Sequence, residues 1–208
     1  MALVALMVFI GGVTRLTESG LSIVEWKLLS GTLPPLSQQS WEAEFEAYKQ
    51  TPEYQKVNTG MLLDEFKQIF WLEYLHRLLG RTIGLTLIIP FLIFSLRRRM
   101  DQPLTRRMAA ACILVAAQGT VGWLMVKSGL VDDPRVSPIR LALHLSLAFL
   151  LFGLLFWTRL QLSHAVRDQS CPPRPAIGIR LVLALVSMQV ILGAFVAGTD
   201  AGLSYNTF

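Results

Sequence analysis

Residues 69–96 read Ile-Phe-Trp-Leu-Glu-Tyr-Leu-His-Arg-Leu-Leu-Gly-Arg-Thr-Ile-Gly-Leu-Thr-Leu-Ile-Ile-Pro-Phe-Leu-Ile-Phe-Ser-Leu. The second half, Thr82–Leu96, carries no charge, whereas the first half sets Glu73, His76, Arg77 and Arg81 among large apolar side chains. A membrane helix needs roughly 20 mostly apolar residues. This stretch reaches that length only if its ionisable residues lie within the helix. Such groups are costly inside a span and mark functional or paired positions. One stretch therefore argues for a membrane fold and for a site within it.

The rest of the chain agrees. Met108–Val126 and Leu181–Thr199 each run 19 residues without a charge, and Leu141–Trp157 is apolar apart from His144. With 53% hydrophobic and 16% charged residues among 208, the composition is that of a polytopic membrane protein. Met1–Thr14 is apolar but short. It lacks a basic leading region and a small-x-small cleavage site, so it reads as a shortened first span and not as a signal peptide. The expected fold is all-α, a membrane helical bundle with five transmembrane segments. The net charge of +5 comes from arginines beside the spans and calls for no nucleic-acid partner.

Arg97, Arg98, Arg99, Arg106 and Arg107 follow the second span, and Arg159, Arg167, Arg174 and Arg180 follow the fourth. The loop after the third span, Lys127–Arg140, has fewer cations and holds Asp132 and Asp133. The positive-inside rule makes the two arginine-rich loops internal, with the N-terminus inside and Arg15–Lys67 outside. In that outer segment Pro34-Pro35 is a break, after which Trp41, Phe45 and Tyr48 recur at i, i+4, i+7. This is an amphipathic helix suited to lying on the bilayer or capping the bundle. From Leu62 a helical pattern runs unbroken into the second span.

The chain repeats itself. Residues 17–22, after the first span, read Thr-Glu-Ser-Gly-Leu-Ser; residues 199–204, after the fifth, read Thr-Asp-Ala-Gly-Leu-Ser. Both follow glycine-rich helix ends, at Gly11-Gly12 and at Gly193 and Gly198. The third span ends similarly in Lys127-Ser-Gly-Leu130 and shares Gln-x-x-x-Gly with the fifth, Gln118/Gly122 against Gln189/Gly193. A duplicated helical unit is implied. On that reading residues 1–165 form a four-helix half with outer loop 15–67, residues 176–208 hold the first helix of a second half, and the chain is a fragment.

His76 lies about two turns into the second helix and His144 one turn after Arg140 in the fourth. Both helices enter from outside, so the imidazoles are expected at similar depth, where they could ligate one haem iron from two sides. His76, Gly80 and Gly84 form one stripe whose glycines leave a surface a porphyrin can approach, and Ala148 offers His144 a similar floor. Glu73, Arg77 and Arg81 form a second stripe. Arginine forks suit propionate carboxylates, although Glu73 and Arg77 at i, i+4 are equally compatible with an ion pair. Cys112 and Cys171 form no CxxC motif. His164 reads as a solvated loop residue. Gln118 and Gln189 read as interhelical hydrogen-bonding groups.

Three segments resemble the haem A synthases, in particular the subgroup of alphaproteobacteria and mitochondria. They are Gly11-Gly-Val-Thr-Arg-Leu-Thr-Glu-Ser-Gly-Leu-Ser22, Glu73-Tyr-Leu-His-Arg77 with Gly80-Arg81, and Gly193–Phe208. Trp41-Glu-Ala-Glu-Phe45 and Val126-Lys-Ser-Gly-Leu130 match as well. The resemblance implies eight spans in two four-helix halves, each with a histidine pair on its second and fourth helices. The N-terminal pair maps onto His76 and His144 and would handle haem O as substrate. Haem B would be held by the other pair, which this chain lacks, as it lacks the outer-loop cysteine pair of other members.

The implied reaction converts the C8 methyl of haem O to a formyl, giving haem A for cytochrome oxidase assembly. The acidic residue implicated in catalysis maps onto Glu73. Oxidising an unactivated methyl requires a strong oxidant with electrons and protons, and a carboxylate beside the reacting carbon could move protons. His76 and His144 would serve as axial ligands to haem iron, with Arg77, Arg81 and Gly80 as further haem-binding residues. The alternative is a bis-histidine b-type cytochrome acting in electron transfer, and a third reading is a non-haem scaffold or transporter. Haem O synthase, an electron donor and a second copy of the chain are candidate partners. The implied location is the bacterial inner membrane, or the mitochondrial inner membrane in a eukaryote.

Overall fold

The computed structural model of the chain describes residues 1–26, 30–131, 134–163 and 177–203. Among these residues seven α-helices follow in order: α1 (Ala2–Leu16), α2 (Gln38–Lys49), α3 (Pro52–Lys56), α4 (Leu63–Leu96), α5 (Gln102–Gly129), α6 (Pro138–Leu162) and α7 (Ile177–Gly198). Short 3-10 turns lie at Ser30–Thr32 and Ala201–Leu203, and no strand is found among the described residues. Asp132, Asp133, His164, Arg167, Cys171, Arg174 and the chain after Leu203 lie outside them.

Helices α4 to α7 are each long and apolar enough to cross a membrane, and α1 is a shorter apolar helix. The chain is thus a multi-pass membrane protein, and the elements among its described residues are helical. Local chemistry sets several boundaries. The Leu62 N–H donates to the Glu65 carboxylate at 2.8 Å, which starts α4 with acidic residues in its first turn. Asp101 accepts from the Leu104 N–H at 2.8 Å to start α5, Ser37 caps α2, and Pro138 occupies the first turn of α6.

The helix α1 packs on α4 and α6, and α5 packs on the same two. The four form a ring in the order α1, α4, α5, α6, which puts α4 and α6 on a diagonal. Val4, Ile83, Ala111 and Leu151, one from each, make the buried core. The helix α7 packs outside the ring against α6. Gly198 permits its close approach, since a Cβ there would meet Pro138 Cα at 2.9 Å.

At 34 residues, α4 is about 51 Å long, against a hydrocarbon core of about 30 Å. Its N-terminal turns are wrapped by α2 and α3. Trp41, Phe45 and Tyr48 of α2 meet Phe66, Phe70 and Tyr74 of α4, with ring centroids 5.1 Å apart for Phe45–Phe66 and 4.9 Å for Trp41–Phe70. The amphipathic outer helix is therefore a cap on the bundle.

The internal repeat has a counterpart in the backbone. Glu18 and Asp200, matching positions of the two motifs, both adopt the left-handed conformation, with φ of 51° and 53°. Each turns the chain sharply off a helix end. The two ends are also joined, because an Arg15 Nη donates to Asp200 Oδ1 and to the Ala197 carbonyl, both at 2.6 Å.

Candidate functional site

The site lies where the cap side of the ring meets the segment after α1. Glu73 is only 2% exposed, and both carboxylate oxygens are engaged. Oε2 accepts from Ser22 Oγ at 2.7 Å and from the Ile23 N–H at 2.8 Å. Oε1 accepts from Arg77 Nε at 2.9 Å and from an Arg77 terminal nitrogen. Arg77 in turn donates to the Ile23 carbonyl at 2.9 Å and the Glu25 carbonyl at 3.3 Å, and its guanidinium lies 5.1 Å from the Trp26 ring centroid. Burial without partners would make either charge costly; here each charge and each donor is met. The motif after α1 is thereby clasped to α4. The Tyr74 hydroxyl adds a second tie, donating to the Thr32 carbonyl at 2.7 Å.

The ion-pair reading of Glu73 and Arg77 is thus realised, with Ser22 and Ile23 as partners the sequence did not name. The signal was there. Ser22 closes the repeated Thr-Glu-Ser-Gly-Leu-Ser motif, but nothing in one dimension pairs it with a carboxylate 51 residues on.

His76 and His144 come from the diagonal helices α4 and α6. Each imidazole is seated on a glycine of a neighbouring helix. A Cβ at Gly11 of α1 would lie 3.1 Å from His76 Cε1, and one at Gly122 of α5 would lie 3.1 Å from His144 Cε1. Nδ1 of both rings is buried without a hydrogen-bond partner. The Gln118 backbone carbonyl lies near His144, yet no hydrogen bond closes to that Nδ1. Among the described residues no group of three or more His, Cys, Asp or Glu could cage a bare ion. The pair suits a metal that brings its own equatorial ligands, as a metalloporphyrin does.

Gly80 faces α1, where a Cβ would meet Met7 Cε at 3.0 Å, and Gly84 faces Val115 of α5. The surface expected to be open is covered by a thioether, a flexible side chain that moves readily. Arg77 and Arg81 both line a cavity of about 150 Å³ between the cap and α4, beside Tyr74 and Ile23. Arg140 does not join the histidines but donates to the Leu124 carbonyl of α5. Gln118 departs from expectation, since its Oε1 is buried unpartnered beside the His144 seat, and Gln189 is exposed on α7, which packs chiefly on α6. Cys112 is a free thiol on α5.

In the cap, Glu53 is buried, and the Tyr48 hydroxyl donates to its carboxylate at 3.0 Å while Asn58 Nδ2 donates to the Tyr48 oxygen at 2.8 Å. Desolvation pushes Glu53 up to about 7; the Tyr48 hydrogen bond opposes the rise, and the negative charges of Glu73 and Glu18 add to it. Burial likewise raises Tyr48 above its ordinary value.

A family model described as cytochrome oxidase assembly protein (COX15-CtaA) matches residues 1–208. A heme A synthase of Nitrosospira multiformis is 55% identical over 210 residues, covering 100% of this chain and 59% of the relative. That of Parvibaculum lavamentivorans is 51% identical over 207 residues, covering 100% and 60%. That of a Bradyrhizobium strain (ORS 278) is 53% identical over 207 residues, covering 99% and 57%. The chain thus spans about 60% of the length of these curated relatives. No solved structure matches.

Proposed function

The chain belongs to the COX15-CtaA family of cytochrome oxidase assembly proteins, and from that membership we propose that it serves haem A biosynthesis by oxidising the C8 methyl of haem O to a formyl group. The observation that supports this reading is the pair of imidazoles on diagonal helices, each on a glycine seat of a neighbouring helix. His76 and His144 would hold the haem through their ring nitrogens. Haem bound between them would supply the redox-active iron that attack on an unactivated methyl requires.

The chain's own residues have distinct roles in this proposal. His76 and His144 hold the substrate from two sides. Met7 yields its place over Gly80 as the ring enters. Arg81 meets the propionates from the cavity beneath the cap, whose wall Arg77 also lines. Glu73 stands one turn from His76 and holds or moves a proton beside the reacting methyl, with Arg77 keeping its charge balanced. The cap of α2 and α3 excludes water from this face. A haem B cofactor, haem O synthase and an electron donor fit the same reading as partners. So does an inner-membrane location with the arginine-rich side inside, following the positive-inside rule.

The test is pigment extraction from cells that make haem O but no haem A, after expression of the protein. Haem A is expected to appear, and to be lost in His76→Ala and His144→Ala. Haem B alone, with no conversion, would favour the electron-transfer cytochrome, and a preparation without a Soret band would remove both readings.

A further inference from the structure

We infer that Gly11 and Gly122, on the two helices of the four-helix ring that carry no histidine, are positioning residues that set the orientation of the His76 and His144 imidazoles toward haem. The inference deepens the haem reading above and rests on it.

A ligating imidazole usually donates its second ring N–H to a carbonyl or carboxylate, which fixes the ring plane. For His76 no such partner is found, and for His144 the Gln118 carbonyl approaches without a closed hydrogen bond to Nδ1. What each ring does have is a wall. The contact is the same on both sides of the ring of helices: glycine Cα against imidazole Cε1, with 3.1 Å left for a Cβ in each case. A contact that short requires the neighbour to give by a few tenths of an ångström. A methyl at either seat would therefore turn the imidazole and leave the helix in place. Alanine is also the better helix former, so both seats carry a residue that is locally second best.

The chain supplies its own controls. Gly12 and Gly119 lie on the same two helices, and a Cβ at either meets nothing within 4 Å.

The experiment adds ferric haem B as the probe to the detergent-solubilised protein and records absorption and low-temperature electron paramagnetic resonance. The spectrum of the double variant His76→Ala/His144→Ala is subtracted as baseline. The largest g value of a low-spin bis-imidazole haem depends on the angle between the two ring planes, which a merely structural role of the glycines would not move. Gly11→Ala and Gly122→Ala are expected to shift that g value and weaken haem retention about tenfold, each independently of the other. Gly12→Ala and Gly119→Ala are expected to superimpose on the unmodified protein. Size-exclusion profiles check folding, and because the seats are read separately, one well-folded alanine variant suffices. Unshifted g values and retention in a folded seat variant would overturn the inference with the haem reading intact. If the double histidine variant keeps the full haem signal, the haem reading falls and takes this inference with it.

Discussion

Ser22 Oγ donates a 2.7 Å hydrogen bond to Glu73 Oε2, joining the loop after the first span to the helix that carries His76. With the Ile23 N–H on the same oxygen and Arg77 on the other, this makes one buried, fully paired carboxylate the fastening of the site.

Glu73→Gln is expected to leave Arg77 buried against a neutral amide and to cost about 3–5 kcal/mol of stability. Haem O conversion should fall at least tenfold. The double variant Glu73→Gln/Arg77→Met removes both charges and should recover most of the stability but none of the conversion. Thermal unfolding in detergent and extracted haem A separate the two effects. Recovery of both by the double variant would reduce Glu73 to a structural role.

Ser22→Ala removes one hydrogen bond to a charged acceptor and should destabilise by about 2 kcal/mol. Ser22 is 1% exposed, so water does not readily replace the hydroxyl. Proteolysis within residues 15–37 should accelerate while the bundle stays folded. An unchanged cleavage rate would mean that the clasp is held by Ile23 and Arg77 alone.

Glu53 gives the cap a pH dependence. Its carboxyl is raised in the fold from 4.5 to about 7, chiefly by desolvation. The favourable contribution is thus fully present below pH 4.5 and is lost as pH rises through 7. The loss approaches about 3 kcal/mol. Cap stability, followed by hydrogen exchange at residues 45–58, should fall between pH 5 and 8. Glu53→Gln should flatten the profile. A profile equally steep in the variant would assign the titration elsewhere.

Phe66 is 0% exposed at the centre of the aromatic cluster between α2 and α4. Phe66→Ala should cost about 3–5 kcal/mol, localised to the cap. Tyrosine fluorescence should report loss of the Tyr48–Phe66 contact before the spans unfold. A single transition shared by cap and bundle would show that they fold as one unit.

Much of this protein was legible in one dimension because the bilayer makes it so. Lipid offers no partner to backbone groups, so an apolar run of sufficient length must become a helix. The spans, the amphipathic face of Trp41, Phe45 and Tyr48, and the paired motifs at residues 17–22 and 199–204 could be read before any fold was known. Glu73, His76 and His144 stood out because ionisable groups are rare at such depth.

The partners of those groups were decided only by tertiary structure. Periodicity records which face of a helix a residue shares, not which helix lies opposite. That Ser22 meets Glu73, that Met7 covers Gly80, and that Gly11 and Gly122 seat the imidazoles all depend on α1 and α5 filling the corners between α4 and α6. Side-chain packing and hydrogen-bond pairing across that ring settle such contacts. They act between residues far apart in the chain, where no local pattern reaches.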